Sequence, residues 1–259
     1  MGNNEIPFIV PTWQDLPKGV KAISTYRFGG VSAGAFSGVP HEAKGGLNLG
    51  GHVGDCPESV TLNRQILNAY LPKPASYMRQ VHSRQVIAAE MANDEVNADA
   101  MFSSKTAQIC AVLTADCLPV LMADLDGKVV AAAHAGWRGL ALGVLDSTIS
   151  AMRDQGANQI TAWMGPAIGP SQFEVGKDVF DAFVAKSEAL SQYFLPLPAP
   201  NKYLANIYGL ARFLLAQNGV TSVFGGEHCT FSESDKFYSF RRDKVTGRMA
   251  SLIWLDETT

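Results

Sequence analysis

Three short apolar runs crowd into residues 109–133: Ile109 to Leu113, Leu118 to Met122 and Val129 to Ala133. Each has the length and the bounding residues of a buried strand. Strands that follow one another directly favour a mixed sheet covered by helices over a strictly alternating doubly wound fold. Further runs of the same kind lie at Gln85 to Ala89, Ile160 to Met164 and Ser251 to Leu255. The expected class is α+β.

Helices are placed by period and caps. Asp55-Cys56-Pro57-Glu58 offers an N-cap, an early proline and an acidic first turn, followed by Val60, Asn63 and Leu67 at helical spacing. Leu140, Val144, Leu145, Thr148, Ile149 and Met152 form one stripe that predicts a single helix after Gly139, closed near Gly156. Lys177 to Gly219 reads as two packed helices, one marked by Val179 and Phe183 and one by Ile207, Leu210 and Leu214, with a proline-rich loop at 195–201 between them. That loop is too short and too uncharged to be a tether, so residues 1–259 are expected to form one domain.

Charge narrows the class of partner. Charged residues are 17% of 259, below the roughly 25% of an average protein, and the net charge is -3 with no basic run. Neither nucleic acid nor an anionic membrane is an expected partner. The first residues lack a basic segment and Phe8-Ile9-Val10 is bracketed by prolines, which argues against a signal peptide. No apolar run approaches the length of a membrane span. Cys56, Cys110, Cys117 and Cys229 form no CxxC motif, as suits reduced thiols in the cytoplasm.

Three segments place a reactive side chain at the end of a strand-like run: Arg79-Gln80-Val81-His82-Ser83, Thr114-Ala115-Asp116-Cys117 and His134-Ala135-Gly136-Trp137-Arg138-Gly139. Such turns face ligand crevices in α/β-type proteins. Singly, each has an ordinary explanation, since a buried Cys is commonly a small hydrophobe and a strand-end His a hydrogen-bonded core residue. Together, two imidazoles and a thiol are the ligand types of Zn²⁺, and three protein ligands leave a fourth position open for chemistry. The spacing matches no zinc finger. A Cys117–His134 nucleophile–base pair would use the same side chains.

Motifs through nearly the whole chain carry a resemblance. They are Arg27-Phe28-Gly29-Gly30-Val31-Ser32, Asn48-Leu49-Gly50, His52-Val53-Gly54-Asp55, Gln80-Val81-His82, Ala98-Asp99-Ala100, Thr114-Ala115-Asp116-Cys117-Leu118-Pro119-Val120, His134-Ala135-Gly136-Trp137-Arg138-Gly139, Gly165-Pro166-Ala167-Ile168-Gly169, Cys229-Thr230, Phe237-Tyr238-Ser239-Phe240-Arg241-Arg242 and Thr246-Gly247-Arg248. In this order they resemble the YfiH/YlmD family, also known as the laccase-domain or polyphenol oxidase family and described as purine nucleoside phosphorylases. The resemblance implies a mixed β-sheet sandwich flanked by helices, with His82, Cys117 and His134 as metal ligands. It also implies phosphorolysis of adenosine and inosine, deamination of adenosine, and purine nucleosides and phosphate as the small-molecule partners.

Those activities assign further candidates. Phosphate needs cations and backbone N–H groups, which Arg138 at a helix start, Arg27, Arg241 and Arg242 could supply, although Arg241 and Arg242 equally suit surface ion pairs. Asp116, beside Cys117, could orient a ligand, act as an acid or base, or cap its turn. Asn48 and Gln80 could bond ribose or base, and Cys229 is expected to line the pocket. Trp137 reads as packing. Cys117, His134, Asp116 and Arg138 are thus the catalytic candidates, without an assigned general base. The HxE…PCxxC pattern of cytidine and tRNA deaminases is absent, so any deamination uses a different site.

Histidine supply separates the readings. One blue-copper-like centre needs two His and one Cys, and a trinuclear cluster many more; only His41, His52 and His228 remain. Zn²⁺ is therefore preferred to Cu²⁺ and to copper-dependent phenol oxidation. A structural metal in a partner-binding protein, and a cell-wall-precursor editing hydrolase, are further alternatives that no residue selects.

Overall fold

The computed structural model describes residues 6–38 and 45–257; residues 1–5, which bear the argument against a signal peptide, and His41 lie outside them. The first half carries strands β1 (Phe8–Ile9), β2 (Val20–Thr25), β3 (Phe28–Ser32), β4 (Val86–Ala88), β5 (Ala100–Ser103), β6 (Cys110–Thr114) and β7 (Leu118–Asp124), with helix α1 (Pro57–Asn68). The second half carries β8 (Val130–Ala135), β9 (Ile160–Met164), β10 (Glu174–Gly176), β11 (Phe194–Pro196), β12 (Lys202–Ala205), β13 (Val223–Gly225) and β14 (Met249–Leu255). Its helices are α2 (Trp137–Leu142), α3 (Val144–Asp154), α4 (Lys177–Val184), α5 (Ile207–Gln217) and α6 (Phe240–Asp243).

A six-stranded sheet, β13-β9-β7-β8-β5-β4, packs on a four-stranded sheet, β1-β2-β14-β6. The larger sheet is mixed, because β13 and β4 run parallel to β9 and β5 while its other pairs are antiparallel. The apolar runs read as continuous because both faces of the larger sheet are covered. On β7, Leu118, Val120 and Met122 pack with the helical layer of α3 and α5, whereas Leu121 and Ala123 meet Val112 and Ile253 of the smaller sheet. The outer face of the smaller sheet is closed by Leu47, Leu49 and, from α1, Leu67. The result is the expected α+β sandwich flanked by helices. No helix of the described residues is long and apolar enough to cross a membrane.

Two expectations are corrected. The predicted helix after Gly139 is two helices, because Gly143 takes φ +93° and breaks the axis between α2 and α3. The stripe hides this break, since Leu140, Val144 and Leu145 stay buried in one cluster on both sides of it. The run from Lys177 to Gly219 also contains a hairpin between α4 and α5, with Phe194 opposite Ala205 and Pro196 opposite Tyr203. Pro196 is tolerated because β11 is the edge of its small sheet.

Candidate active site

The antiparallel register of β7 and β8 pairs Leu118 with Ala135 and Pro119 with His134. Cys117, one residue before β7, is thereby set beside the end of β8. His82 arrives from the loop ahead of β4. The three ligand-type atoms lie within 4.8 Å of one another. His134 is buried and the other two are half-buried.

One carboxylate organises the two histidines. Asp99, fully buried just before β5, accepts the backbone N–H of Val81, His82 and Ser83 at 3.2, 2.9 and 2.6 Å and the Ser83 hydroxyl at 2.7 Å. It also lies 2.8 Å from Nδ1 of His134. His82 has φ +59°, a conformation uncommon for a residue with a side chain, and the bonds to Asp99 hold it there. With Nδ1 of His134 turned to Asp99, Nε2 is the nitrogen left for the cluster.

Protonation follows from these contacts. Burial alone would lower the pKa of His134, but the Cys117 sulfur and Asp99 outweigh it and raise it to about 9. Burial and the neighbouring His134 lower that of His82. Burial would raise the Asp99 carboxyl, yet its bonds to His134 and Ser83 hold it below its ordinary range.

The residues fit a metal. Nδ1 of His82 is buried without a hydrogen-bond partner, an arrangement that costs about 1–3 kcal/mol unless something else takes the lone pair. A Cβ at Gly136 would stand 2.9 Å from that nitrogen and 3.0 Å from Sγ of Cys117, so glycine is what keeps the space between the donors clear. Two imidazoles and a thiol are the donors of a borderline-soft ion. Among the described residues this is the one group of three or more His, Cys, Asp or Glu side chains close enough to share an ion.

The cluster lines a cavity of ≈ 400 Å³. Trp137, Phe173 and Phe240 give it aromatic walls, and Arg138, Arg241, Lys244 and Arg248 give it four cations. Arg138 lies over the Trp137 ring at 4.4 Å and makes no ion pair among the described residues. Asp116 is the one carboxylate in the lining. Both its oxygens are engaged, one by the Thr230 hydroxyl at 2.6 Å and the other by the Ser239 hydroxyl at 3.1 Å and the Arg241 backbone N–H at 2.6 Å. It ties the turn before Cys117, where its own φ is +89°, to the segment carrying α6.

Other expected site residues fall elsewhere. Arg27 is buried outside the lining, donating to Ser37 O and Ser234 O beneath the Tyr238 ring. Arg242 donates to the carbonyls of Thr230, Phe231 and Phe237 and to Asp243, leaving no free edge for substrate. Cys229 accepts from the Gly169 N–H at 3.2 Å and does not line the cavity. Asn48 is also outside the lining; its amide bonds Asp55, Gly50 and the Arg248 N–H. Asp55 therefore serves this network and not the α1 cap. Gln80 lines the cavity, but its amide pairs with both backbone groups of Leu113 at 2.7 and 2.8 Å. Trp137 packs against the core, as expected, and also forms cavity wall.

Sequence reasoning assigned no role to Asp99, Arg248, Lys244 or His52. Asp99, Arg248 and His52 stood inside the motifs that carry the resemblance, the one signal available for them; the burial of Asp99 and its approach to both histidines come only from the fold.

Residues 21–256 match the family model described as multi-copper polyphenol oxidoreductase laccase. The chain is 48% identical over 252 residues to a protein of Escherichia coli (strain K12) named purine nucleoside phosphorylase YfiH, covering 95% of this chain and 98% of that one. A purine nucleoside phosphorylase of Pseudomonas aeruginosa is 45% identical over 250 residues, covering 96% and 99%. Among solved structures, a Neisseria meningitidis protein superposes with a TM-score of 0.87 at 47% identity, covering 96% of this chain and 99% of that one. YlmD from Geobacillus stearothermophilus gives 0.80 at 30%, covering 92% and 93%.

Proposed function

The chain belongs to the YfiH/YlmD family, whose matched model is that of the multi-copper polyphenol oxidoreductase laccases, and on that premise we propose that it is a purine nucleoside phosphorylase. It acts as one domain over residues 1–259 on adenosine and inosine, and deaminates adenosine in the same cavity. The carrying observation is the His82–Cys117–His134 cluster inside a cavity with aromatic walls and four cations. The names of the relatives support the same reading.

His82, Cys117 and His134 would hold Zn²⁺, which supplies a Lewis acid at neutral pH when bound. The chain's own residues do the rest. Trp137, Phe173 and Phe240 offer apolar faces to a planar base. The lining cations Arg138, Arg241, Lys244 and Arg248 attract phosphate into the cavity. In phosphorolysis a phosphate oxygen bonds to C1′ of the ribose while the C1′–N9 bond breaks, its electron pair leaving with the base, which then takes a proton. Holding both reactants in one cavity makes this step effectively intramolecular. Asp116, with both oxygens engaged, serves to fix the wall that carries Arg241.

Metal-replete protein with phosphate should convert inosine to hypoxanthine and ribose 1-phosphate. Failure to release free base from any purine nucleoside, together with oxidation of phenols and O₂ uptake, would overturn the reading. That second activity is the one the family model's description suggests, and two His with one Cys is also a copper donor set. Among the described residues no second cluster accompanies it, whereas a laccase mechanism needs several coppers.

A further inference from the structure

Three arginines line the cavity without an ion pair among the described residues: Arg138 is exposed, Arg241 donates through Nη1 to Glu174 O at 2.8 Å, and Arg248 is half-buried. Arg64 pairs with Asp94 and Arg242 with Asp243, while the buried Arg27 has its Nε, Nη1 and Nη2 all bonded to carbonyls. Arg248 lines the cavity with His82, Cys117, His134 and Asp116 and, although it feels the charge of Asp116, makes no ion pair among the described residues. Only Nη1 is bonded, to Thr246 O at 3.0 Å and Gly247 O at 3.1 Å. The Nε–Nη2 edge is left without a partner among the described residues. This is the edge through which a guanidinium makes paired bonds to an oxyanion.

The side chain is also held in place. Its backbone N–H donates to Oδ1 of Asn48 at 2.9 Å, and its carbonyl accepts from Leu49 at 3.2 Å. Gly50 makes room for the stem, since a Cβ there would stand 2.8 Å from Cγ of Arg248. Asn48 is therefore a positioning residue for Arg248. Burial lowers the pKa of this guanidinium, a sign that its charge is poorly solvated. Cys117 and Asp116 offset that cost only in part, so this half-buried cation, which has no ion-pair partner among the described residues, is stabilised by an anion that enters the cavity.

We propose that Arg248 is the principal anion-binding side chain of the cavity, its Nε–Nη2 edge taking two oxygens of inorganic phosphate while Arg138 and Lys244 act as outer cations. The assignment deepens the phosphorylase reading and rests on it for the identity of the anion. The test is calorimetric titration of inorganic phosphate into the metal-loaded full chain, paired with the KM for phosphate in inosine phosphorolysis. Arg248→Met should weaken phosphate by roughly 10- to 100-fold and leave the KM for inosine within about twofold. Arg248→Lys should recover only part of the loss, because an ammonium cannot make the paired bonds.

Wild-type phosphate affinity in Arg248→Met would overturn the assignment. If Arg248→Met fails to fold, Arg248→Lys decides, and full wild-type affinity there overturns the paired contact. Phosphate binding that depends on Arg248, with no base released from any purine nucleoside, would sustain the anion site and refute the phosphorylase reading. Phosphorolysis with an unchanged phosphate KM in Arg248→Met would do the reverse.

Discussion

Oδ1 of Asp99 lies 2.8 Å from Nδ1 of His134, and the same carboxylate fixes the backbone of His82, so one buried group sets both imidazoles of the cluster. Asp99→Asn keeps the volume but turns an NH₂ toward donors that need an acceptor. Metal affinity should fall roughly 10- to 100-fold, as read by competition with a chelator. An unchanged affinity would show that the His82 loop holds itself.

Gly136 has φ −59°, which alanine accepts, so Gly136→Ala tests space and not backbone strain. The added Cβ presses on His82 and Cys117. Metal content per chain, measured by elemental analysis, should collapse, and the metal-free protein should lose up to about 1 kcal/mol from the poorer helix cap in addition to the cost of displacing the His82 and Cys117 side chains. Full metal loading of the variant would mean that the ion sits elsewhere.

Cys117→Ala removes the one sulfur donor of the cluster. The variant should purify without metal, and one ion per chain in it would show that the ligand set is wrong.

His134 titrates at about 9 in the metal-free fold against 6.5 in the unfolded chain. The stabilisation from its charged form is fully present below pH 6.5 and is lost as pH rises through about 9. A metal requires the neutral ring, so binding below about pH 9 releases a proton and affinity climbs with pH up to about 9. Calorimetry at pH 7 in two buffers of different ionisation enthalpy should show that release. Equal heats in both buffers would contradict it.

Asp116→Ala leaves the Thr230 and Ser239 hydroxyls and the Arg241 N–H without their acceptor. Unfolding in denaturant should show a loss of roughly 2–4 kcal/mol. The pH–rate profile of the residual activity should keep its shape. A lost limb in that profile would return Asp116 to acid–base duty.

The sequence by itself determined the strand runs, the helices with clear caps and the residue types of the cluster. Buried strands are apolar over their whole length and the helices carry a local period, so both are legible along the chain. Thus Ile160 to Met164 forms β9 as read, and Val60, Asn63 and Leu67 are the buried face of α1. The break at Gly143 and the hairpin at Phe194–Ala205 were not legible, because burial continues across the first and the strands of the second are short and carry a proline.

Only the tertiary structure decided which polar residues meet. Arg27 and Arg241 look alike in sequence, yet one has all three side-chain nitrogens bonded to carbonyls in the interior and the other lines the cavity. The physical reason is that a side chain's chemistry depends on which of its bonds the fold has already satisfied. Those partners come from distant segments, as Asn48 does for Arg248 and Asp99 for His134.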